Sequence, residues 1–497
     1  MANLAHEDLH FILFPLMAQG HTIPMVDFAR LLAQRGATVT IITTPVNALR
    51  FQSTVSRAVQ SGLRIRIAEL YFPSEEFGLP KGCENFDMLS TIHLSGAFYA
   101  ATVMLREPFE NFLGEAKPPP SCIISDMSFP WTSDVAENFH IPRLIVHGPC
   151  CFSLLSVLNI VKSQVLGKVK SDTERFVVPD LPDKVELTKA KIIRLMNTSN
   201  TTQKSPQQTA AMAGFREKMI EAENKAFGIV ANTFEELEPK YIEEYAKTKG
   251  KKVWCIGPVS LSNKDMSDKV ERGDKVSIDE NDCLNWLDGQ DPGSVLYVCL
   301  GSIARLATSQ LIELGLGLEE LNRPFVWCVR YKTEEFDKWI SEEKYEERIK
   351  GRGLIIWGWA PQVLILSHRA IGGFLTHCGW NSTLEGICAG IPMLTWPLFA
   401  EQFVNEALVV QILKVALSVG TELPIVFGEE EEVGVLVKRE DLVMVAERLM
   451  NGSDEAEERR ERARELGDLA KRAMDEGGSS HLNTNLLIQE IMAQANM

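Results

Sequence analysis

The segment FLTHCGWNSTLEG, residues 374–386, gathers hydrogen-bonding side chains where its pattern predicts a strand, a glycine-containing turn and a helix beginning near Asn381. Backbone amides of such a turn, beside a helix N-terminus, form an anion site, and His377 and Ser382 add side-chain donors. Glu385 lies one turn further along the same helix face, where its carboxylate can accept both hydroxyls of a ribose. Taken singly, His377 would be an ordinary buried histidine, and Asn381 and Ser382 would be helix caps.

Two further stretches of the second half carry residues of the same kind. Ser302 follows a predicted strand in LGS and can turn its hydroxyl and its amide toward the same anion. Trp359 with Ala360 can hold a planar base by ring stacking, worth roughly 1–3 kcal/mol in nucleic-acid complexes, and by a backbone hydrogen bond. A lone Trp359 is more often a core residue. The density of such residues within 359–402 favours a common binding role.

In the first half, His21 lies in a loop after the first predicted strand, at the carboxyl edge of the predicted sheet. An imidazole with an ordinary pKa of about 6.5 can take a proton from a hydroxyl near pH 7. General-base catalysis of this kind is worth about 10²–10⁴ in rate. By itself, such a histidine is as often a structural hydrogen-bond partner as a catalyst. Asp126 follows another buried strand in the same half, where it can orient the imidazole and stabilise its cation.

Composition and missing motifs narrow the chemistry. The 497 residues are 45% hydrophobic and 24% charged, with a formal net charge of −16, which indicates a globular protein and disfavours binding to nucleic acid or anionic membranes. No G-x-G-x-x-G dinucleotide motif, P-loop or G-x-S-x-G elbow occurs. No Asp-x-Asp occurs either, so bound phosphates are expected to meet backbone amides and a helix N-terminus, without a metal.

The sequence gives no sign of a targeting or membrane-spanning segment. The N-terminus MANLAHEDLHFILFPLM has acidic residues where a secretory signal would be basic. The most hydrophobic long stretch, 144–161, contains His147 and Pro149, which a membrane helix would tolerate badly. The cysteines form no C-x-x-C motif and indicate buried, reduced thiols. We therefore expect a soluble, cytoplasmic protein, monomeric by default.

The elements that must position these side chains alternate between buried strands and helices. HFILFPL and ATVTIITTP predict strands on either side of a helix, TIPMVDFARLLAQRG, and SCIIS predicts a further strand. Strands that are apolar on both faces are typical of a parallel sheet covered on both sides. SVLYVCLGS, PFVWCVR, GLIIWGWA, AIGGFLTHCG and IPMLTWP repeat the pattern in the second half. We predict an α/β protein with two facing, doubly wound Rossmann-like domains and the substrate cleft between them.

The predicted boundaries follow breaks in composition. The first domain covers 1–255, a linker of high charge and low apolar content covers 256–282, and the second domain covers 283–452. The remaining residues, 453–497, are expected to form helices that pack back on the first domain. Residues 162–218 are polar and predict an irregular, exposed excursion. A cleft between two such domains suits a transferase, which must bring two molecules together.

Residues 359–402 resemble the signature box of the plant UDP-sugar-dependent glycosyltransferases of family 1, from the opening Trp359 to the closing Gln402. MAQGH, ISD, ANTFEELE and YVCLGS also resemble motifs of that family, so the resemblance covers nearly the whole chain. It implies the GT-B fold and one direct displacement that converts an α-linked donor into a β-glycoside without a metal. VPDLPDKVELTK looks most like the plant group acting on triterpenoids, steroids and flavonoids.

The resemblance also implies how the donor is held. Four residues are expected at the uracil and the ribose: Trp359, Ala360, Gln362 and Glu385. Four are expected at the diphosphate: Ser302, His377, Asn381 and Ser382. Three are expected to face the sugar: Trp380, Glu401 and Gln402. Many members have Asp in place of Glu401, whose extra methylene shifts the reach of the carboxylate. A closing Gln is associated with glucose and His with galactose, so UDP-glucose is the expected donor.

For the first half, the resemblance assigns His21 as the base and Asp126 as its partner. The acceptor is expected to be a small hydrophobic molecule in an apolar cleft. Candidate lining residues, most of which are expected to be plain core, are Met17, Phe98, Met127, Phe152 and Phe399. Two alternatives stay open beside an aglycone O-glucosyltransferase. One is an enzyme that uses UDP-glucose or UDP-galactose to extend a sugar on a saponin or flavonoid. The other is a catalytically silent binder, which the presence of both His21 and Asp126 disfavours.

Overall fold

The computed structural model describes residues 9–196 and 206–495, so the first eight residues of the N-terminus interpreted above lie outside it. Its strands form a seven-stranded sheet, a six-stranded sheet and a two-stranded hairpin. The strands are β1 His10–Phe14, β2 Thr38–Thr43, β3 Ile65–Glu69, β4 Cys122–Asp126, β5 Arg143–His147, β6 Arg175–Val177, β7 Glu186–Thr188, β8 Gly228–Ala231, β9 Val253–Cys255, β10 Val295–Cys299, β11 Phe325–Val329, β12 Gly353–Trp357, β13 Ile371–Thr376, β14 Met393–Thr395 and β15 Ala416–Ser418.

Helices lie between the strands and cover both sheets. They are α1 Gln19–Gln34, α2 Pro45–Gln60, α3 Ser95–Val103, α4 Arg106–Glu115, α5 Thr132–Asn138, α6 Cys151–Ser163, α7 Lys189–Met196, α8 Pro206–Lys225, α9 Pro239–Lys249, α10 Met266–Val270, α11 Glu280–Asp288, α12 Thr308–Glu320, α13 Glu334–Glu342, α14 Tyr345–Arg348, α15 Gln362–Leu366, α16 Trp380–Ala389, α17 Gln402–Ala407, α18 Glu430–Val433, α19 Arg439–Met450, α20 Asp454–Met474 and α21 Ser479–Ala495.

The first sheet has the strand order β3-β2-β1-β4-β5-β8-β9, with every pairing parallel. The chain runs outward from β1 to β3 and then returns to the other side of β1 as β4. Loops therefore diverge at the carboxyl ends of β1 and β4, which creates a crevice at a topological switch point. Every residue of β1 and β4 is buried, as expected for parallel strands covered on both faces.

The second sheet repeats this plan with the order β12-β11-β10-β13-β14-β15, again fully parallel. Its switch point lies between β10 and β13, because β11 and β12 lie on one side of β10 and β13 on the other. The prediction of two doubly wound Rossmann-like units is confirmed. Each unit places the loops that follow two central strands at one edge of its sheet.

The C-terminal helices serve different units. Helix α20 packs on α16 of the second unit. Helix α21 returns to the first unit, where Leu487, Ile488 and Ile491 join the apolar core beneath β1 and β2. Within the part of the chain that the structure covers, no helix combines the length and the apolar character needed to cross a bilayer.

The expectation of an irregular excursion at 162–218 is wrong in part. Strands β6 and β7 form an antiparallel hairpin there, and the 20-residue helix α8 starts at Pro206. Residues 197–205 of this stretch lie outside the described residues. Helix α8 contains good helix formers but lacks a clear apolar stripe, so hydrophobic periodicity had little to detect.

Candidate active site

His21 and Asp126 meet at the switch point of the first sheet. His21 lies in the first turn of α1, and Asp126 is the last residue of β4. His21 Nδ1 lies 2.6 Å from Asp126 Oδ2, and the amide of Ser128 donates to Asp126 Oδ1 at 2.8 Å. Since Nδ1 faces a carboxylate, we assign the ring hydrogen to Nδ1, which makes Nε2 the nitrogen that can accept a proton.

The two groups shift each other's pKa. Burial alone would lower the pKa of His21, but the charge of Asp126 and the hydrogen bond to it outweigh burial and raise that pKa above its ordinary value of 6.5. Burial alone would raise the pKa of Asp126, but His21 and the Ser128 bonds lower it below its ordinary value. Asp126 is 1% exposed, whereas 29% of the His21 side chain stays exposed. The imidazole is therefore both stabilised as a cation and accessible to a reacting group.

His377 lies at the switch point of the second sheet, directly after β13. Its ring is wedged between Gly301 and Gly379, since a Cβ on either glycine would lie 2.4 Å from His377 Nε2. Burial lowers the pKa of His377 to about 4, so the ring is neutral at pH 7. Its Nδ1 is buried, and no hydrogen-bond partner for it exists among the described residues. Such a nitrogen is rare in folded proteins and marks a position where a ligand can complete the bonding.

Helix α16 begins beside His377 and points its N-terminus at the first unit. In its first turn, Asn381 Nδ2 donates to the carbonyl oxygen of Gly20 at 2.6 Å. Trp380 Nε1 donates to the carbonyl oxygen of Asn232 at 2.7 Å. Gly20 precedes His21, so the structure brings the predicted diphosphate residues and the predicted base to opposite walls of one cleft.

The residues expected at the base and the ribose form a connected group. Gln362 Nε2 donates to Glu385 Oε2 at 2.7 Å and to Ser382 Oγ at 3.1 Å. The guanidinium of Arg330 lies 4.6 Å from the centroid of the Trp359 ring, a cation–π distance. Ala360 is buried directly after Trp359.

The remaining predicted residues lie around the dyad and the second switch point. Ser302 is in the loop after β10, where its carbonyl oxygen accepts from the Tyr331 hydroxyl at 3.3 Å. Gln402 Oε1 accepts from the amides of Leu398 and Phe399 at 2.8 and 3.1 Å. Burial raises the pKa of Glu401, and the charge of nearby His21 partly offsets that rise. Glu401 thus belongs to the second unit but faces the dyad of the first.

The structure adds an aromatic group that the sequence analysis missed. Tyr99 packs against Phe86, Phe98 and Phe215 in tilted or edge-on arrangements, with ring centroids 5.3–6.1 Å apart. Burial and the charge of Asp126 raise the pKa of Tyr99 to about 12, which places the phenol near the dyad. Its segment SGAFYAATV is apolar or small throughout, so no pattern marks Tyr99. The half-buried rings of Phe86, Tyr99 and Phe215 are a candidate wall for an apolar acceptor.

Three of the residues expected to line the acceptor cleft belong to the core instead. Met17, Phe98 and Phe152 are at most 1% exposed. The Phe152 ring packs edge-on against Tyr241, 4.9 Å away. Met127 and Phe399 are half-buried, which leaves them as candidates for the lining.

A second residue that the sequence predictions missed contacts the residues expected to bind the base and the ribose. Arg272 lies in the segment predicted as linker, and its carbonyl oxygen accepts a hydrogen bond from Trp359 Nε1 at 2.9 Å. Its side chain reaches Glu385, with Arg272 Nη1 at 2.6 Å from Glu385 Oε1. The only sequence signal was a charged stretch, which is also typical of a solvated connection.

The chain is similar to known glycosyltransferases along nearly its whole length. Residues 7–261 match the family description "Glycosyltransferase, N-terminal domain", and residues 283–420 match "UDP-glucoronosyl and UDP-glucosyl transferase". UDP-glycosyltransferase 73E1 of Stevia rebaudiana is 54% identical, with 97% of this chain and 96% of the relative aligned. UDP-glycosyltransferase 73C3 of Arabidopsis thaliana is 52% identical, with 99% of this chain and 97% of the relative aligned.

Solved structures show the same relationship. Glycyrrhiza uralensis UGT73P12, complexed with glycyrrhetinic acid 3-O-monoglucuronide, aligns with a TM-score of 0.88 and 36% identity over 98% of this chain and 96% of that one. Phytolacca americana UGT2, complexed with UDP-2fluoro-glucose and pterostilbene, aligns with a TM-score of 0.74 and 29% identity over 97% of this chain and 99% of that one.

Proposed function

Because this chain belongs to the plant UDP-glycosyltransferases, a family of inverting GT-B enzymes, we propose that it transfers glucose from UDP-glucose to a hydroxyl of a hydrophobic plant small molecule. The acceptor class is a triterpenoid, steroid or flavonoid aglycone, and the products are a β-glucoside and UDP. The contact that carries the proposal is the 2.6 Å pair between His21 Nδ1 and Asp126 Oδ2.

In the proposed reaction, His21 Nε2 takes the proton of the acceptor hydroxyl. The acceptor oxygen forms a bond to the anomeric carbon while the bond from that carbon to the UDP oxygen breaks on the opposite face. Asp126 stays ionised, holds the ring tautomer and stabilises the imidazolium that forms. A general base of this kind contributes about 10²–10⁴ to the rate.

The second unit supplies the groups for the leaving UDP. Negative charge on the diphosphate is met by the N-terminus of α16 with Asn381, Ser382 and Ser302. His377 is neutral and acts as a hydrogen-bonding group. No step of this scheme requires a metal ion. Both walls of the cleft come from one chain, so we propose a monomer, which sedimentation velocity can test.

The choice of glucose rests on Gln402 at the end of the signature box, with Glu401 and Trp380 as the other sugar contacts. Support for a hydrophobic acceptor comes from Tyr99, whose pKa is raised by burial and by the charge of Asp126, and from Phe215, whose ring packs against Tyr99. A second candidate is extension of an existing sugar, since the ligand of the Glycyrrhiza structure, glycyrrhetinic acid 3-O-monoglucuronide, already carries one.

A donor-by-acceptor screen tests these points. The purified protein is incubated with UDP-glucose, UDP-galactose or UDP-glucuronate in EDTA, together with paired acceptors, each as aglycone and as monoglycoside. We expect mass spectra to show hexose added from UDP-glucose to aglycones, and NMR to show a β linkage. Preferential use of monoglycosides would establish the chain-extending alternative. Loss of activity in EDTA that added magnesium restores would contradict metal independence, and no transfer to any acceptor would favour the silent binder.

A further inference from the structure

Arg272 connects the two units beside the residues expected to bind the base and the ribose. Its Nη1 donates to Glu385 Oε1 on α16 at 2.6 Å, and its Nη2 donates to Asp27 Oδ2 on α1 at 2.7 Å. Its Nε donates to the same Asp27 oxygen at 3.2 Å. One guanidinium from the connecting segment therefore joins a helix of the first unit to the helix that carries the predicted ribose ligand.

All three members of this bridge are withdrawn from water. The side chains of Asp27, Arg272 and Glu385 are 2%, 10% and 9% exposed. The two carboxylates raise the pKa of Arg272 against the opposing effect of burial, so its charge is secure. An unpaired carboxylate at such a depth is strongly unfavourable, and the planar fork of arginine is suited to holding two carboxylates at once.

The contact with Arg272 orients the Glu385 carboxylate but leaves part of its hydrogen-bond acceptor capacity unused. Arg272 holds Oε1, and Gln362 Nε2 holds Oε2 at 2.7 Å. A carboxylate offers about four acceptor positions, so about two remain for the hydroxyls of a ribose. The orientation of those positions is set by the two bonds already made.

The same segment holds the predicted base platform. Trp359 Nε1 donates to the Arg272 carbonyl oxygen, and the Trp359 amide donates to Ser277 Oγ, both at 2.9 Å. Gly273, with a φ of +94°, passes so close that a Cβ would lie 2.5 Å from Trp359 Cζ2. Only glycine fits this approach, which keeps Arg272 in register with both Glu385 and Trp359.

We propose that Arg272 is a positioning residue of the nucleotide subsite: it orients Glu385 for the ribose and ties that carboxylate to Asp27 across the cleft. This inference rests on the proposed function, because it takes Glu385 as the ribose ligand. Arg272 acts through Glu385, so its loss should weaken donor binding more than it slows the chemical step.

The primary test is Arg272→Ala, with steady-state kinetics and calorimetric binding of UDP-glucose. We expect KM and Kd for UDP-glucose to rise about tenfold or more, the loss typical of one hydrogen bond to a charged group, with kcat changed by less than about threefold. Unchanged donor binding would refute the proposal. Tighter binding would refute it too, because Arg272 would then compete with the nucleotide for Glu385.

Arg57→Ala is the matched control. Arg57 holds the same segment through Asp268, at 3.0 Å, and through Glu271, away from Glu385. This variant should leave Kd for UDP-glucose within about twofold, because Asp268 keeps its ion pair with Arg30. An equal loss in both variants would mean that Arg272 only anchors the segment. If Arg272→Ala does not fold, Arg272→Lys keeps the charge but not the fork and should still raise Kd severalfold at unchanged Tm.

A double-mutant cycle identifies the route of the effect. In a Glu385→Gln background, Arg272→Ala should cost less than about half of its effect on Kd in the parent protein, because both changes remove the same interaction. Full additivity would contradict action through Glu385. If the unmodified protein binds no UDP-glucose at all, the proposed function fails. If it binds and Arg272→Ala binds equally well, only the role of Arg272 fails.

Discussion

His21 follows β1 of the first sheet and His377 follows β13 of the second, two strands that border a switch point, yet the pKa values of the two histidines move in opposite directions. Burial favours the neutral imidazole at both. Asp126 reverses that preference at His21 and raises its pKa above 6.5. At His377 burial lowers the pKa to about 4, and no carboxylate among the described residues opposes that effect.

One carboxylate thus converts the same side chain from a neutral hydrogen-bonding group into a base. The first unit has charge where a proton is proposed to move. At the proposed diphosphate position the second unit has the neutral side chains of His377, Asn381 and Ser382, and the positive end of α16 carries about half an elementary charge.

Of the substitutions that distinguish the roles of the two histidines, His21→Ala is expected to have the largest effect. Loss of the base should lower kcat by about 10²–10⁴, while Kd for UDP-glucose, measured by calorimetry, stays within about twofold. His481→Ala is the control and should leave both constants unchanged, because His481 Nδ1 accepts from the Gly477 amide at 3.3 Å in the C-terminal segment. Activity that survives in His21→Ala would move the base elsewhere.

A smaller effect with a distinctive pH signature is expected from Asp126→Asn. Asp126 raises the pKa of His21, so the acidic limb of kcat/KM should lie above pH 6.5 in the parent enzyme and move to lower pH in the variant. The plateau should fall by no more than the factor of about 10²–10⁴ that the base contributes, because the imidazolium loses its partner and the tautomer is no longer held. A limb that stays in place would show that a group other than His21 titrates there.

The sequence was sufficient for the features that depend on local pattern. Buried runs such as HFILF and IGGFLT predicted parallel strands, and helices between them predicted doubly wound sheets. Residues directly after such strands must lie at the carboxyl edge of a sheet, which is why His21 and Asp126 could be paired across 105 positions. The helix expected near Asn381 begins at Trp380.

Features that depend on contacts between residues far apart in the sequence could not be predicted from local patterns. The 256–282 segment looked like a solvated linker because charge and low apolar content are local properties. Arg272 is nevertheless buried, since Asp27 and Glu385 converge on it from 245 and 113 positions away. Phe152 stayed only a candidate for the cleft lining for the same reason, because no local signal distinguishes a core ring from one lining a cleft.

The smallest effect is expected from His377→Asn, which removes a neutral hydrogen-bonding group and its contact with Gly301 and Gly379. Net loss of one neutral hydrogen bond corresponds to roughly a two- to tenfold rise in Kd for UDP-glucose. The measurement uses UDP-glucose and not UDP, because the terminal phosphate of UDP titrates near pH 6 and would add its own pH dependence to Kd.

The pH dependence of Kd for UDP-glucose gives the clearest distinction between the charge states of His21 and His377. In His21→Ala, the titration of the base is removed, and His377 with a pKa of about 4 stays neutral from pH 5.5 to 8. Kd for UDP-glucose should therefore be flat over this range. If the Gly301–His377–Gly379 packing were looser, His377 would gain a proton as the pH falls, and binding of the diphosphate would tighten below pH 6.5. A slope of that sign, abolished by His377→Asn, would show that both histidines carry charge and would remove the contrast between the two halves of the site.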